Sequence, residues 1–416
     1  MSAASVFRKG DFTPKDRSVL FFLWFGYVFL YMTRINISVA IPALTAGEGM
    51  TRGGMGIVVT SFFWTYAFGQ LVSGWLGSRL PARWMMGGSL LLSAICNILM
   101  AFAQSVPAMA VIWGVNGAVQ SLMWAPLMLV LSRQFEGDRL TAATFSISFT
   151  TVFGYLFSWG GSALIVDSLG ATWVFLLPGL LTLAFAALFI AKFQAPPARP
   201  AQLGAFGVSE RGFSGLRSMK GVIAAIIAAC MVQGFVRDSL NTWLPTLIGD
   251  LEGLLRLSEI AVFLVVPLIN FAGVYLSRWI LAKTGGDLFK TIFGFYIAAL
   301  LPCGALLLAA GMPAVWVVVC MVLLLGLLFS INPLYTSFVP LGFAGLGCVS
   351  VMTGLADCAI YAGAGLSGLV TGTLLEQSAL QPLAALWLGL LALACALALL
   401  LRRLSRHRLT NFVPRA

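Results

Sequence analysis

The chain has 416 residues, of which 60% are hydrophobic and 9% are charged, and such a composition excludes an ordinary water-soluble protein. The net charge of +11 could suggest a nucleic-acid partner. However, nearly all of the basic residues fall on one side of the predicted membrane, as in membrane proteins generally, so no basic patch indicates nucleic-acid binding. We therefore predict an all-α polytopic membrane protein, surrounded by a lipid bilayer.

Windows of about 20 apolar residues predict twelve transmembrane helices along the chain. They begin near residues 18, 56, 83, 107, 141, 170, 220, 258, 287, 313, 346 and 380. The first apolar run is too long for a signal peptide and has no small-residue cleavage site, so we expect it to remain as the first span.

The basic residues predict the orientation of the chain. If both termini are cytoplasmic, Arg52 and Arg256 are the only external ones among the 25 Lys and Arg residues. Arg34 and Arg237 lie at membrane depth, and all the others face the cytoplasm. This asymmetry follows the positive-inside rule. It predicts a multi-pass protein of a bacterial-type cytoplasmic (inner or plasma) membrane with both termini cytoplasmic.

Two halves are predicted from the spacing of landmarks. Residues 194–219 form the longest polar, Pro- and Gly-containing segment between spans, and they read as a cytoplasmic linker. This linker separates an N-terminal six-helix bundle (1–193) from a C-terminal six-helix bundle with a basic cytoplasmic tail (220–416). Arg34 and Pro42 of the first span recur as Arg237 and Pro245 of the seventh, both at an offset of 203. A parallel two-fold repeat of this kind predicts the major facilitator fold, with a substrate site at mid-depth between the halves.

The two arginines of the first and seventh spans are the strongest functional candidates. Inserting a charge at the centre of a span costs about 2.5 to 3.5 kcal/mol on translocon scales. Helical periodicity places Tyr27, Tyr31 and Ser38 on the face of Arg34, and Gln233 and Asn241 on the face of Arg237. Two converging guanidinium groups suit an anion with several oxygens. The alternative is that each arginine is a fixed ion-pair partner of Asp238 or Asp357.

Further polar residues lie on faces that could line a cavity: Asn116 and Gln120 in span four, Tyr155 in span five and Tyr361 in span eleven. Each could contact substrate or bond a neighbouring helix. Asp357 and Asp238 are candidates for proton coupling, with an ion pair or a packing role as the alternative for both.

No metal site and no cofactor site are predicted. The seven cysteines all fall inside predicted spans without a CxxC motif, so we interpret them as packing residues. Gly363, Gly365 and Gly368 match GxGxxG but lie in a span without a βαβ context. We expect these glycines to allow close approach of helices, not to bind a nucleotide.

Three segments resemble the organophosphate:phosphate antiporter family, which includes glycerol-phosphate and hexose-phosphate exchangers. They are "YMTRINISVAIP" (31–42), "RDSLNTWLP" (237–245) and "NGAVQSLMWAP" (116–126). The resemblance covers most of the chain. It implies a transporter and not an enzyme, which exchanges a phosphate ester for inorganic phosphate by alternating access with Arg34 and Arg237 on the phosphoryl group. Some members of the family are receptors, so a sugar-phosphate sensor is an alternative.

The chain departs from that family at two places. The glycerol-phosphate branch has a histidine in its fifth span, whereas the single histidine here is His407 in the tail. The loop motifs "GWLGSR" and "GVYLSR" resemble the superfamily signature, but Ser78 and Ser277 stand at its acidic position. The usual carboxylate is therefore missing from both loops.

The first segment also resembles the anion:cation symporters, which carry sugar acids and other organic anions with protons. Those carriers typically have an acidic residue where Thr33 stands and lack an arginine in span seven, so both departures favour the organophosphate family. The sequence leaves open which anion is carried and whether the mode is antiport, proton symport or sensing. A monomer is compatible with the sequence, which leaves the oligomeric state open as well.

Overall fold

The computed structural model describes residues 12–46, 49–77, 80–195, 216–251, 259–343, 346, 348–376 and 380–405. Within these residues twelve helical segments are long and apolar enough to cross a membrane, which confirms the predicted all-α class. The N-terminal six are α1 (Pro14–Thr45), α2 (Arg52–Gly77), α3 (Ala82–Met100), α4 (Val106–Gln120 and Trp124–Gln134), α5 (Gly137–Leu169) and α6 (Ala171–Lys192). The C-terminal six are α7 (Lys220–Gly249), α8 (Glu259–Lys283), α9 (Leu288–Leu306), α10 (Ala314–Leu341), α11 (Val349–Glu376) and α12 (Leu380–Ser405).

Three of the helices are interrupted near their middle or end. Helix α4 breaks between Gln120 and Trp124, α5 widens into a π turn at Leu156–Gly160, and α10 does so at Leu334–Phe338. In α10 the π turn follows Pro333, whose ring removes a backbone donor. π turns are frequent at functional sites, so the π turns of α5 and α10 make these two helices candidates to line a binding site.

The start of α1 is fixed by local hydrogen bonds and then tied to its own half. Thr13 caps the helix, and its hydroxyl and backbone N–H bond with Asp16 in a capping box. The buried Asp16 carboxylate also accepts a hydrogen bond of 2.6 Å from Gln134 and pairs with Arg139. These contacts join α1, α4 and α5 at the end of the bundle where the described chain begins and ends, here called the terminal end.

The two halves meet most extensively through α2 and α11, with further contacts of α1 on α7 and of α5 on α8. A Cβ placed on Gly56 would lie 2.4 Å from the Gly368 carbonyl oxygen, so the two backbones approach too closely for any side chain there. The predicted role of Gly368 in close helix approach is thereby confirmed. This contact lies at the end of the bundle opposite the terminal end, here called the distal end.

Polar contacts complete the closure of the distal end. Arg52 donates to both Asp250 oxygens at 2.5 and 2.8 Å, which links the start of α2 to the end of α7. The Gly53 backbone N–H donates to Glu376 at the end of α11, at 2.8 Å. The distal end is therefore sealed across the two halves.

The outer surface of the bundle is apolar, as a lipid environment requires. Leu301 is 77% exposed, and Phe68, Phe102, Val111 and Leu308 are also highly exposed. Most of the predicted linker and Ser78 lie outside the described residues, so the domain boundaries stay a prediction. The described Ser277 is buried, and its hydroxyl donates to the Val274 carbonyl within its own helix.

Candidate functional site

A cavity of about 1000 Å³ lies between the two halves. Residues of α1, α2, α4, α5, α7, α8, α10 and α11 line it, and both Arg34 and Arg237 are among them. Its lining reaches Arg133 and Ser337 near the terminal end, but on α2 it goes no further toward the distal end than Val59. The cavity therefore opens at the terminal end and is closed at the distal end.

Arg34 lies within a group of aromatic rings. Its guanidinium carbon is 4.3 Å from the ring centroid of Tyr66, 5.2 Å from that of Tyr361 and 5.3 Å from that of Phe62. The side chain is buried, and it forms no ion pair with any carboxylate of the described residues. Cation–π contacts partly stabilise this charge, but no carboxylate in the described part of the chain pairs with it. Arg34 is therefore available to an anion in the cavity.

Arg237 has a different environment. One guanidinium nitrogen lies 2.5 Å from an Asp238 carboxylate oxygen, another donates to the Asn332 side chain, and all three residues line the cavity. Successive residues on a helix point about 100° apart, but the long arginine side chain folds back far enough to reach its neighbour. For Arg237 the ion-pair alternative is thus the observed geometry, whereas Arg34 has neither Asp238 nor Asp357 as an ion-pair partner.

Six other sequence-predicted residues line the same cavity: Tyr27, Tyr31, Ser38, Tyr155, Asn241 and Tyr361. The Asn241 amide donates to the Tyr155 hydroxyl at 3.0 Å, which joins α7 of one half to α5 of the other. The Ser38 hydroxyl accepts from the Trp159 indole N–H at 3.0 Å. The structure therefore brings together residues of both halves that the helical periodicity selected separately.

Three of the predicted candidates, Asn116, Gln120 and Gln233, lie outside the cavity lining and bond neighbouring helices instead. Asn116 and Gln120 are fully buried inside the N-terminal bundle and donate to the Thr33 carbonyl, at 2.9 and 3.2 Å. The Gln233 amide donates to the Leu328 carbonyl, and its oxygen accepts from the Tyr296 hydroxyl. None of the three lines the cavity, and their side-chain amide groups instead donate hydrogen bonds within the same half.

Several lining residues were missed by sequence reasoning. Tyr66 and Gln70 stand four positions apart on α2 and both line the cavity, so the same polar-face criterion would have selected them. Asn332, which precedes Pro333, also lines the cavity, and its side chain accepts a hydrogen bond from Arg237. Phe62 carries no such signal, since a phenylalanine in a span gives no indication that it faces a cation.

Asp357 also lines the cavity, from α11. It is partly buried and forms no ion pair within the part of the chain that the structure describes. The four charges at membrane depth are therefore unequal in their surroundings: Arg237 and Asp238 form a pair, while Arg34 and Asp357 have no ion-pair partner among the described residues.

No cluster that could hold a metal ion occurs in the described residues. All seven cysteines are free, and five of them are buried. A Cβ on Gly363 would lie 2.0 Å from the Met231 carbonyl oxygen, and one on Gly365 would lie 2.0 Å from the Trp64 ring. The three glycines of the GxGxxG match thus pack against helices and present no nucleotide-binding loop.

Comparison with known families agrees with this architecture. The model of the Major Facilitator Superfamily matches residues 23–350. The chain belongs to the major facilitator superfamily. Among solved structures, the nucleoside transporter NupG is similar to this chain with a TM-score of 0.74 and 16% identity. The match covers 93% of this chain and 99% of NupG, and it supports the fold alone.

Curated relatives in this superfamily confirm the resemblance to the organophosphate:phosphate antiporters. The probable hexose phosphate transport protein of Chlamydia muridarum is 30% identical over 118 residues, which are 28% of this chain and 26% of that protein. The membrane sensor protein UhpC of Escherichia coli is 36% identical over 104 residues, which are 25% of this chain and 24% of that protein. The chain thus spans about a quarter of the length of these curated relatives.

Proposed function

We propose that the protein is a secondary active transporter of an oxyanionic metabolite. The substrate is a phosphate ester, inorganic phosphate is the counter-substrate, and no covalent bond is broken. The observation that carries this proposal is the placement of two buried arginines, one from the first helix of each half, in one cavity. An anion bound there reduces the cost of keeping Arg34 charged within the membrane.

The unequal closure of the two ends supports transport by alternating access. The cavity opens at the terminal end, and the α2–α11 contact closes the distal end. With the termini on the cytoplasmic side of the inner or plasma membrane, as the basic residues predict, this is an inward-facing state. A rocking of one half against the other would open the distal end around the same arginines.

Uptake into proteoliposomes tests the proposal directly. Vesicles loaded with inorganic phosphate are expected to take up a labelled hexose phosphate or glycerol phosphate, and external phosphate is expected to compete. Vesicles without internal phosphate are the control for exchange. Absence of exchange for a panel of phosphate esters, together with uptake of a sugar acid under an inward proton gradient, would replace this proposal with proton symport.

Asp357 separates antiport from proton coupling within the same assay. A carboxylate that carries a proton is required for accumulation driven by a pH gradient but not for exchange at equal pH. Asp357→Asn should then abolish the gradient-driven accumulation alone. Unchanged pH dependence would assign Asp357 to packing.

The similarity to UhpC makes a sensor the second candidate, because that relative is described as a membrane sensor protein. A sensor binds the phosphate ester in the same cavity but does not move it across the membrane. Ligand-dependent thermal stabilisation without any uptake would favour this candidate.

A further inference from the structure

Arg34 and Arg237 differ in the positive charge that each leaves available to a substrate. Arg237 and Asp238 are both buried, and 2.5 Å separates a guanidinium nitrogen from a carboxylate oxygen. The pair carries no net charge. Arg34 faces only rings and polar groups, and it has no ion pair among the described residues. One positive charge is therefore left to balance an anion at this depth.

We propose that Asp238 is a specificity-determining residue, which limits the substrate to a single negative charge by neutralising Arg237. This inference rests on the proposed function and names the charge form of its substrate. The cavity accepts the monoanionic form of a phosphate ester, and it equally accepts a permanently monoanionic group of the same shape, such as a sulfate monoester.

The physical reason is charge balance in a medium of low dielectric constant. A monoanion on Arg34 leaves the group of Arg34, Arg237 and Asp238 neutral, whereas a dianion leaves one uncompensated negative charge, which is costly there. A dianion could use both arginines only by displacing Asp238, and this would strand a buried carboxylate. An ionised Asp357 would add the same negative charge for both forms, so the dianion would still carry the larger uncompensated charge.

The charged and titratable groups around the pair come from several helices. Asn332 of α10 bonds Arg237, and Tyr155 of α5 interacts electrostatically with Asp238. Arg34 on α1 and Asp357 and Tyr361 on α11 line the same cavity. Arg133 also lines it, one residue before the end of α4, at the open mouth. None of these groups other than Arg34 offers a second positive charge at the depth of the pair.

Phosphate and sulfate esters of one sugar provide a matched pair of probes. The second ionisation of a phosphate monoester occurs near pH 6, so at pH 8 the ester is a dianion, whereas the sulfate ester keeps one charge. The measurement is thermal unfolding of the purified full chain in detergent, titrated with a hexose 6-phosphate or the 6-sulfate of the same hexose, at pH 6 and pH 8.

For the wild-type protein we expect the sulfate ester to bind at pH 8 at least as tightly as the phosphate ester. Lowering the pH to 6 raises the monoanionic fraction of the phosphate ester from about 1% to about 50%, so its binding should strengthen by about 50-fold relative to that of the sulfate ester. Asp238→Asn frees Arg237 and should change the ratio of the two affinities at pH 8 by about tenfold or more, in favour of the phosphate ester. Asp287→Asn is the control, because it removes a carboxylate paired with Arg402 outside the cavity and keeps the N-cap of α9.

The possible failures are distinguishable. A wild-type preference for the phosphate dianion at pH 8 would overturn the role of Asp238 but leave the proposed transport intact. An unchanged ratio in Asp238→Asn would do the same. If neither ester stabilises the wild-type protein, the proposed function fails and this inference fails with it. If Asp238→Asn does not fold, the affinities of the wild-type protein for the two esters at pH 6 and pH 8 still test whether the cavity selects a monoanion.

Discussion

At the scale of single residues, Arg34 and Arg237 occupy corresponding places in the two halves but have different partners. Arg34 lies among Tyr66, Tyr361 and Phe62, whereas Arg237 is paired with Asp238. A guanidinium without a carboxylate partner can bind an incoming anion without first breaking an ion pair. A paired guanidinium contributes hydrogen bonds and position but little net charge. The internal repeat therefore preserves the residue without preserving its electrostatic role.

This difference predicts opposite consequences of removing each arginine from the empty protein. Arg237→Ala leaves Asp238 buried without its partner, a change that typically costs about 3 to 5 kcal/mol. Arg34→Ala removes cation–π contacts worth about 0.5 to 2 kcal/mol but strands no charge. Thermal unfolding in detergent without ligand should show a larger loss for Arg237→Ala than for Arg34→Ala.

The double variant Arg237→Ala/Asp238→Ala is the control for this prediction. Since neither charge is then left alone, it should recover much of the stability lost by Arg237→Ala. Equal destabilisation by the two single variants, with no recovery in the double variant, would contradict the assigned pairing.

At the scale of helices, the α2–α11 contact holds the distal end closed. The Arg52–Asp250 pair, which joins α2 to α7 at the same end, is partly exposed, with 22% and 38% side-chain exposure, and surface pairs of this kind contribute about 0 to 1 kcal/mol. The backbone approach at Gly56 is a stronger constraint, because an added Cβ would lie 2.4 Å from the Gly368 carbonyl oxygen. Closure therefore depends more on the glycines than on the ion pair.

Gly56→Ala should accordingly favour the state with the distal end open, and Arg52→Ala should change the equilibrium much less. The measurement is the distance between spin labels at Ser105 and Pro382, exposed positions on the two halves at the distal end. Gly88→Ala is the control, since a Cβ there meets nothing within 4 Å. An unchanged distance distribution in Gly56→Ala would contradict the role given to this contact.

Much of the helix arrangement could be predicted from the sequence, because only backbones that satisfy their own hydrogen bonds cross a lipid bilayer. The predicted start near residue 107 lies one residue from the start of α4 at Val106, and the start near 220 coincides with α7. Helical periodicity could not place Asn116 and Gln120, because a polar residue at the interface of three helices has the same spacing as one at a cavity. Nor could it reveal the Arg237–Asp238 pair, which depends on the conformation of a long side chain.

At the scale of the whole molecule, the fold converts a repeated helix pattern into one cavity shared by two bundles. Each half contributes one buried arginine from its first helix, and the Asn241–Tyr155 hydrogen bond crosses between the halves. Because the site is divided in this way, the two halves cannot move relative to each other without altering it. A ligand held by both halves is thus coupled to the conformational equilibrium.

The central claim is that an oxyanion binds in this cavity on Arg34, and ligand-dependent thermal unfolding tests it most directly. With a hexose 6-phosphate at about 100 times its dissociation constant, the wild-type protein should gain about 2.7 kcal/mol and melt at a higher temperature. Arg34→Lys keeps the charge but loses the planar fork, so its gain should be smaller, and Arg34→Ala should gain nothing. Equal stabilisation of the wild-type and Arg34→Ala proteins by the ester would contradict the claim.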